Sequence, residues 1–536
     1  MKGAVAAGHP LTAEAGAGIL AAGGNAVDAC IAAAFVSWVT ESPLTGPGAG
    51  GFMLVHRARD GRDLLLDFFV AVPGRGLRTS AGAEMEAVDV PFGSGDTTQT
   101  FLVGAPACAV PGGVAGLAEA HRLYGTVPWA TLLEPAIELA RGGVELTSSQ
   151  ALLHSVLDTV LRRDRDGRRV YGERKPLGLG GRVVMGDLAA TLELLADGGA
   201  EPFYRGELAR RIVAAVQAGG GRITEEDLAS YRVVRRRPVR AGYRGHELVS
   251  NPPPSSGGIL VAFALSVLDR IGVGGPAGSA EALAVLAEVA REATRARGGG
   301  FTADLHRGGL PRRLLSNTRI GAAVAEILAR GVGEPEDEPA GLPSTTHVSV
   351  VDGKGNAASL SASTGCGSGV FVPGTGIHLN NMLGEIDLNP PGAPAQPGRR
   401  LTSMMAPSVL LRDGRPRLVI GSAGSERLRG AIVQTIVNVV GHGLSVEEAI
   451  ERPRVHLDGD GLHCEGGIDP TEAGRLADRG YRLVRWPGRE RNLFFGGVSA
   501  VGARGDGGLE AAGDPRRGGH GIVVRGDARQ GKVREG

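Results

Sequence analysis

The sequence predicts an α+β globular protein. Three observations carry that expectation. Capped apolar helices fill the first forty residues. The pattern switches to two-residue alternation after residue 344. Composition also allows a sizeable core, with 42% hydrophobic and 21% charged residues. The 88 glycines and 31 prolines among 536 residues stay just under the roughly 25–30% that marks low complexity. At roughly 100–200 residues per domain, the length fits two to four domains or one large multi-layer unit.

Thr12 is a candidate N-cap for a helix continuing to Ala22, and Gly23-Gly24 ends it. Asn25 caps a second helix with apolar residues from Ala26 to Val39, ended by Pro43. Gly46-Pro-Gly-Ala-Gly-Gly51 matches GxGxxG, but a helix precedes it and the strand Phe52–His56 follows. That order is the reverse of a dinucleotide site and points to close backbone packing. Arg162 to Lys175 reads as a charged, exposed stretch. Thr224 caps a short helix, and Asn251-Pro-Pro-Pro-Ser-Ser-Gly-Gly258 is a rigid turn feeding the helix Ile259–Leu268. Residues 331–344 are acidic and rich in Pro and Gly, as in an exposed loop. Val348–Val351, the turn Asp352-Gly-Lys-Gly355 and Asn356–Ser363 then form a hairpin.

Fifty-eight basic and 57 acidic residues balance, and aromatics are 4%. Neither fact favours nucleic acid or an anionic membrane. The basic clusters at Arg162–Arg165 and Arg235–Arg237 read as solvated faces. Cys30, Cys108, Cys366 and Cys464 form no CxxC, which argues against structural zinc or a disulfide scaffold. The longest apolar run, Ala29–Val36, is far short of the roughly 20 residues of a membrane span. With no secretory apolar core at the start, a cytoplasmic protein is expected. No HExxH occurs, and His456, Asp458, Asp460 and His463 read as surface-loop residues. No metal or cofactor is expected.

Ser344-Thr345-Thr346-His347 matters most for chemistry. A mid-chain threonine hydroxyl lacks a base. Cleavage of the Ser344–Thr345 bond would give Thr345 a free amine with a pKa of about 7.7–8, able to accept the hydroxyl proton. His347 alternates within the hairpin and reads as structural rather than as base.

The hairpin, Leu379-Asn-Asn-Met-Leu-Gly-Glu385 and Leu401-Thr-Ser-Met-Met-Ala-Pro407 resemble the γ-glutamyltransferase family. Gly23–Ala29, Gly50–Met53, Val110–Gly116, Tyr124–Thr126, Pro252–Gly258, Gly421–Gly424 and Asp514–Arg516 extend the resemblance in family order along nearly the whole chain. The resemblance implies an N-terminal-nucleophile hydrolase with a four-layer αββα sandwich. It implies self-cleavage into residues 1–344 and 345–536, two associated fragments of one intertwined unit. Thr345 Oγ would then attack a γ-glutamyl amide such as glutathione, and water or an amine acceptor would release the acyl group. By position, Ser363 would hydrogen-bond the nucleophile. Gly424 and Ser425 would supply oxyanion-hole N–H groups. Glu385, Thr402 and Ser403 would hold the substrate. As structural alternatives, Glu385 caps a turn and Thr402-Ser403 cap a helix.

The departures fall on substrate recognition. Phe69 stands at the family's carboxylate-clamping arginine, and Met382 at a frequent glutamine. The segment after Ser363 is shortened and lacks an asparagine. The stretch between Glu385 and Thr402 is short. Arg399, Arg400 and Arg427 are candidate compensators. These changes favour a second reading, in which the same threonine acts on a non-glutamyl substrate. Similar proteins include cephalosporin acylases and C–C-bond-cleaving enzymes of actinobacterial pyrroline-antibiotic pathways. A third reading is an uncleaved binding or scaffold protein.

Overall fold

The computed structural model describes residues 1–78, 83–92, 97–331, 345–385, 396–425, 427–488 and 492–526. Most of the acidic loop before the hairpin, including Ser344, lies outside them. The order of the elements that build the sandwich is β1 (Gly3–Ala7), α1 (Pro10–Ala21), α2 (Ala26–Thr40), β2 (Gly50–Arg57), β3 (Arg62–Phe68), β4 (Val234–Arg236), β5 (Val239–Tyr243), β6 (His246–Ser250), α3 (Gly257–Ile271), β7 (Thr346–Asp352), β8 (Ala357–Ser363), β9 (Ser408–Arg412), β10 (Arg415–Ala423), α4 (Arg427–Ile436), β11 (Gly497–Ala503), β12 (Leu509–Gly513) and β13 (His520–Val524).

Seven strands in the order β13-β1-β7-β8-β2-β3-β4 form one sheet, and six in the order β12-β11-β10-β9-β6-β5 form the other. Every neighbouring pair in both is antiparallel. Strand alternation sorts the side chains into layers. On β7, Val348 and Val350 join a core with α1 and α2. Val351 turns to the opposite face and packs with Val419 of β10 between the sheets. On β10, Leu418 and Ile420 point the other way, onto α3 and α4. Helices, sheet, sheet and helices therefore stack as the expected four-layer αββα sandwich.

Local sequence explains most element starts. Asn25 caps α2 in a reciprocal capping box with Asp28, and Thr224 does the same with Asp227. The glycine run before β2 is a packing device. A Cβ at Gly48 would lie 2.2 Å from the His378 carbonyl, and one at Gly51 would lie 2.4 Å from the Ser361 carbonyl.

Three expectations need correction. The cap of α1 is His9, whose Nδ1 accepts from the Leu11 N–H at 3.1 Å, with Pro10 at the first helical position. Thr12 lies inside the helix, and its hydroxyl faces Thr40 and Glu41. The charged stretch 162–175 contains the helix Arg165–Tyr171, and Tyr171 is buried with its hydroxyl on Ser42 Oγ. His456 and His463 sit opposite each other on paired strands rather than in a loop. All four cysteines are buried free thiols. Among the described residues, no helix is long and apolar enough to cross a membrane, and no side-chain cluster could hold a metal ion.

Candidate active site

The hairpin β7–β8 carries the candidate nucleophile. Its register pairs Thr346 with Ala362, so Thr345 lies one step beyond, level with Ser363. Both are buried, at 6% and 3% exposure. Ser363 Oγ accepts the Gly365 N–H at 2.9 Å. The odd-numbered residues of β7 face the second sheet, and His347 shows how closely. A Cβ on Gly421 of β10 would fall 2.2 Å from the imidazole.

The imidazole is fully bonded as a neutral ring. Ser349 gives its proton to the Ser499 carbonyl at 3.0 Å, so it accepts from His347 Nε2 at 3.0 Å. His347 Nδ1 then accepts from Ser361 Oγ at 2.8 Å. Burial lowers the His347 pKa to about 3. The ring lies between the sheets but bonds only within its own, and Ser349 carries the link across to the Ser499 carbonyl on β11.

Gly424 and Ser425 follow the last residue of β10 and lead into α4. Their φ values are +129° and +50°. The Arg427 N–H bonds the Gly424 carbonyl at 3.0 Å, starting the helix. A strand end that turns into a helix N-terminus presents backbone N–H groups to an anion. Ala423 lines the same cavity as Thr345, which brings this turn beside the hairpin. A buried ion cluster fixes it from behind. Arg516 pairs with Glu465 at 2.5 Å and with Asp514 at 3.0 Å, and Arg454 pairs with Asp514 at 2.7 Å. Burial raises the Asp514 pKa, but the two guanidinium groups overcome it and hold the carboxyl below its usual range. Asp514 Oδ2 accepts from the Val498 N–H at 2.9 Å, next to the Gly497–Ala423 pair.

The residues expected from the family resemblance to hold the substrate have mixed chemistry. Glu385 reaches the hairpin end, since a Cβ on Gly365 would lie 2.8 Å from its Oε1 and 2.0 Å from Asn381 Oδ1. Thr402 and Ser403 are buried. The Ser403 carbonyl accepts from Ser256 N at 2.7 Å and Ser255 Oγ at 2.9 Å. The Pro252–Gly258 turn therefore clamps this segment, a role its reading as a rigid turn did not reveal. Ser403 Oγ accepts from Met405 N at 3.0 Å.

Phe69 and Met382 are apolar and lie beside these polar groups, in a cluster with residues that flank Thr402 and Ser403. Both are almost fully buried in one apolar cluster with Leu401 and Met405. Phe69 stacks on Phe52 with centroids 5.4 Å apart. The three candidate arginines have local partners. Arg400 pairs with Asp67 at 3.3 Å and lies 4.4 Å over the Tyr231 ring. Arg399 Nε donates to His306 Nδ1 at 3.3 Å. Arg427 lies 4.4 Å over the Phe494 ring.

One group near the site escaped the sequence reading. Glu41, just after α2, accepts from Thr346 Oγ1 at 2.5 Å. The two residues are 305 positions apart, and no local pattern links them.

A family model described as gamma-glutamyltranspeptidase matches residues 12–524. Acylase ACY 1 proenzyme of Pseudomonas sp. (strain SE83) is 36% identical, over 98% of this chain and 94% of its own length. Glutathione hydrolase proenzyme of Escherichia coli (strain K12) is 32% identical, over 96% of this chain and 90% of its own. The crystal structure of a cephalosporin acylase from Bacillus halodurans superposes with a TM-score of 0.81 at 26% identity, covering 98% of this chain and 96% of that one. The chain belongs to the γ-glutamyltranspeptidase family and is an enzyme with the N-terminal-nucleophile hydrolase fold.

Proposed function

We propose that this enzyme is a self-processing threonine acylase whose preferred acyl group lacks the free α-carboxylate of a glutamyl donor. Cleavage between Ser344 and Thr345 yields fragments 1–344 and 345–536 and frees the Thr345 amine. That amine takes the Thr345 hydroxyl proton as Oγ attacks the amide carbonyl. The proton passes to the leaving nitrogen as the C–N bond breaks, leaving an ester on Oγ. Water, or an amine acceptor, attacks the ester; the C–Oγ bond breaks and the hydroxyl is restored. Ser363 supports the nucleophile. The N–H groups of Gly424 and Ser425 stabilise the oxyanion, at roughly 3–4 kcal/mol per donor. No cofactor is required.

The observation that carries the acyl preference is the burial of Phe69 and Met382 in a single apolar cluster. An arginine in place of Phe69 would supply a bidentate carboxylate partner, and Arg400 already pairs with Asp67. The resemblance to acylases supports the same reading.

The second reading is glutathione hydrolysis or γ-glutamyl transfer. The placing of Glu385 against Gly365 favours it, because a carboxylate there suits a substrate ammonium. The test compares turnover of γ-glutamyl anilide, with and without glycylglycine, against 4-aminobutanoyl anilide, which lacks only the α-carboxylate, and butanoyl anilide, which lacks both the carboxylate and the amine. Faster turnover of the γ-glutamyl compound overturns the proposed preference. Intact mass analysis runs alongside, and a permanently single chain overturns the processing step.

A further inference from the structure

A buried carboxyl lies behind the nucleophile strand, and the catalytic scheme above does not use it. Glu41 is 6% exposed. Gly8 leaves room for it, since a Cβ there would lie 2.3 Å from Oε2. Oε2 accepts from Thr346 Oγ1 at 2.5 Å. Oε1 lies 3.2 Å from Thr12 Oγ1, which is also 2.8 Å from Thr40 Oγ1. Thr40 Oγ1 reaches the Val36 carbonyl at 3.2 Å.

The protons in this network can be counted. Thr12, Thr40 and Thr346 each own one hydroxyl proton. The contacts Thr346–Glu41, Thr12–Glu41, Thr12–Thr40 and Thr40–Val36 need one more proton than the three hydroxyls hold. A proton on Glu41 makes up the difference. With Glu41 neutral, Thr40 would donate to Val36, Thr12 to Thr40 and Thr346 to Glu41, and Glu41 would donate to Thr12, the reverse of the Thr12-to-Glu41 bond that an ionised carboxylate accepts. An ionised Glu41 breaks one link of the chain.

The surroundings agree with a neutral carboxyl. Burial pushes the Glu41 pKa up to about 7, against the pull of the Thr346 and Thr12 hydroxyls and of Arg517. From the cap of α1, His9 faces the same region, and from the helix Ser148–Val156 come Gln150 and His154. Burial lowers both histidines to about 4, so neither adds charge near neutrality. Near the C-terminus, Arg516 and Asp514 are paired with each other. Arg517 is lowered to about 10, chiefly by burial, and remains the facing cation. Glu41, Thr345, Thr346, His154 and Arg517 line one small cavity.

We propose that Glu41, as a neutral carboxyl, is the positioning residue of the nucleophile. It ties Thr346 to the helix layer and so fixes the end of the strand from which Thr345 faces the second sheet. The inference rests on Thr345 being the nucleophile.

Glutamine reproduces the neutral carboxyl, with its carbonyl accepting from Thr346 and its NH₂ donating to Thr12. The experiment measures kcat and KM against pH for processed wild type, Glu41→Gln, Glu41→Ala and Thr346→Val, using an anilide the wild type turns over. The ratio of Glu41→Gln to wild-type kcat should rise about tenfold from about pH 6 to about pH 9, as only the wild type ionises there. Glu41→Ala and Thr346→Val should each lose about tenfold in kcat at unchanged KM. A ratio flat with pH, a Glu41→Gln enzyme inactive throughout, or a Thr346→Val enzyme as fast as wild type overturns the inference. If Glu41→Gln does not fold, Thr346→Val, which preserves side-chain shape, decides alone. Thr345→Ala separates the two claims. An active Thr345→Ala enzyme defeats the nucleophile itself, whereas its inactivity with unaltered Glu41 and Thr346 variants defeats only the positioning role.

Discussion

The hairpin and the segments proposed to recognise the acyl group meet at Gly365 yet differ in what their side chains do. On the hairpin, Ser349 and Ser361 bond a neutral His347, Ser349 carries the link across to the Ser499 carbonyl, and Glu41 grips Thr346 from the helix layer. A single strand is thus held by hydrogen bonds on both faces. Across the site, Phe69 and Met382 have joined the apolar core, while Glu385, Thr402 and Ser403 keep polar groups nearby. Reaction chemistry demands fixed donors and acceptors. Acyl recognition demands only a fit, so it can change while the reaction stays the same.

The sharpest break is at the proposed nucleophile. Thr345→Ala should leave a single unprocessed chain and lower turnover by about 10⁴-fold or more, as loss of a covalent nucleophile does in other hydrolases. Mass spectrometry and the anilide assay read both. Two chains with residual turnover near wild type would remove Thr345 from the chemistry.

The next effect is on stability. Asp514→Ala leaves Arg454 and Arg516 short of a buried partner and should cost about 3–5 kcal/mol, measured by denaturant unfolding. Because Asp514 also holds the Val498 N–H beside the strand that ends at Ala423, kcat should fall with stability. A fall in stability at constant kcat would show that the proposed oxyanion turn does not depend on this cluster.

How far the sequence alone reached follows the same division. The hairpin, the glycine turn at 424 and the caps at Asn25 and Thr224 are written in consecutive residues, where alternation and capping chemistry act locally. Thr12 misled because Pro10 fits the first turn of a helix and moves the cap back to His9. Tyr171 was hidden in a charged run whose helix buries one face. Glu41 could not be found from pattern, since its partner is a strand 305 positions away. The same holds for Arg400. Its sequence position left it open as a clamp, and only the fold shows it spent on Asp67 and Tyr231.

Phe69→Arg places a cation in the apolar cluster proposed to face the acyl group. A hydrogen-bonded charge of this kind is worth about 1.5–3 kcal/mol. The ratio of γ-glutamyl to non-glutamyl anilide turnover should therefore rise about tenfold or more. Stability should fall, because the arginine loses the stack on Phe52 and enters a buried site. An unchanged ratio would break the link between position 69 and acyl choice.

Met382→Gln tests the same idea with a smaller change. Met and Gln have similar length and flexibility, so the substitution mainly exchanges a thioether for an amide. Met382 is 3% exposed. An amide buried there without a partner costs about 1–3 kcal/mol, and a glutamyl donor that bonds it recovers part of that cost. The double variant Phe69→Arg with Met382→Gln therefore separates two pictures. If positions 69 and 382 face one acyl site, the γ-glutamyl preference of the pair should exceed the product of the single effects, since contacting residues couple by about 0.5–3 kcal/mol. If both side chains only fill the core, the pair should lose stability, with no gain in preference for the glutamyl donor.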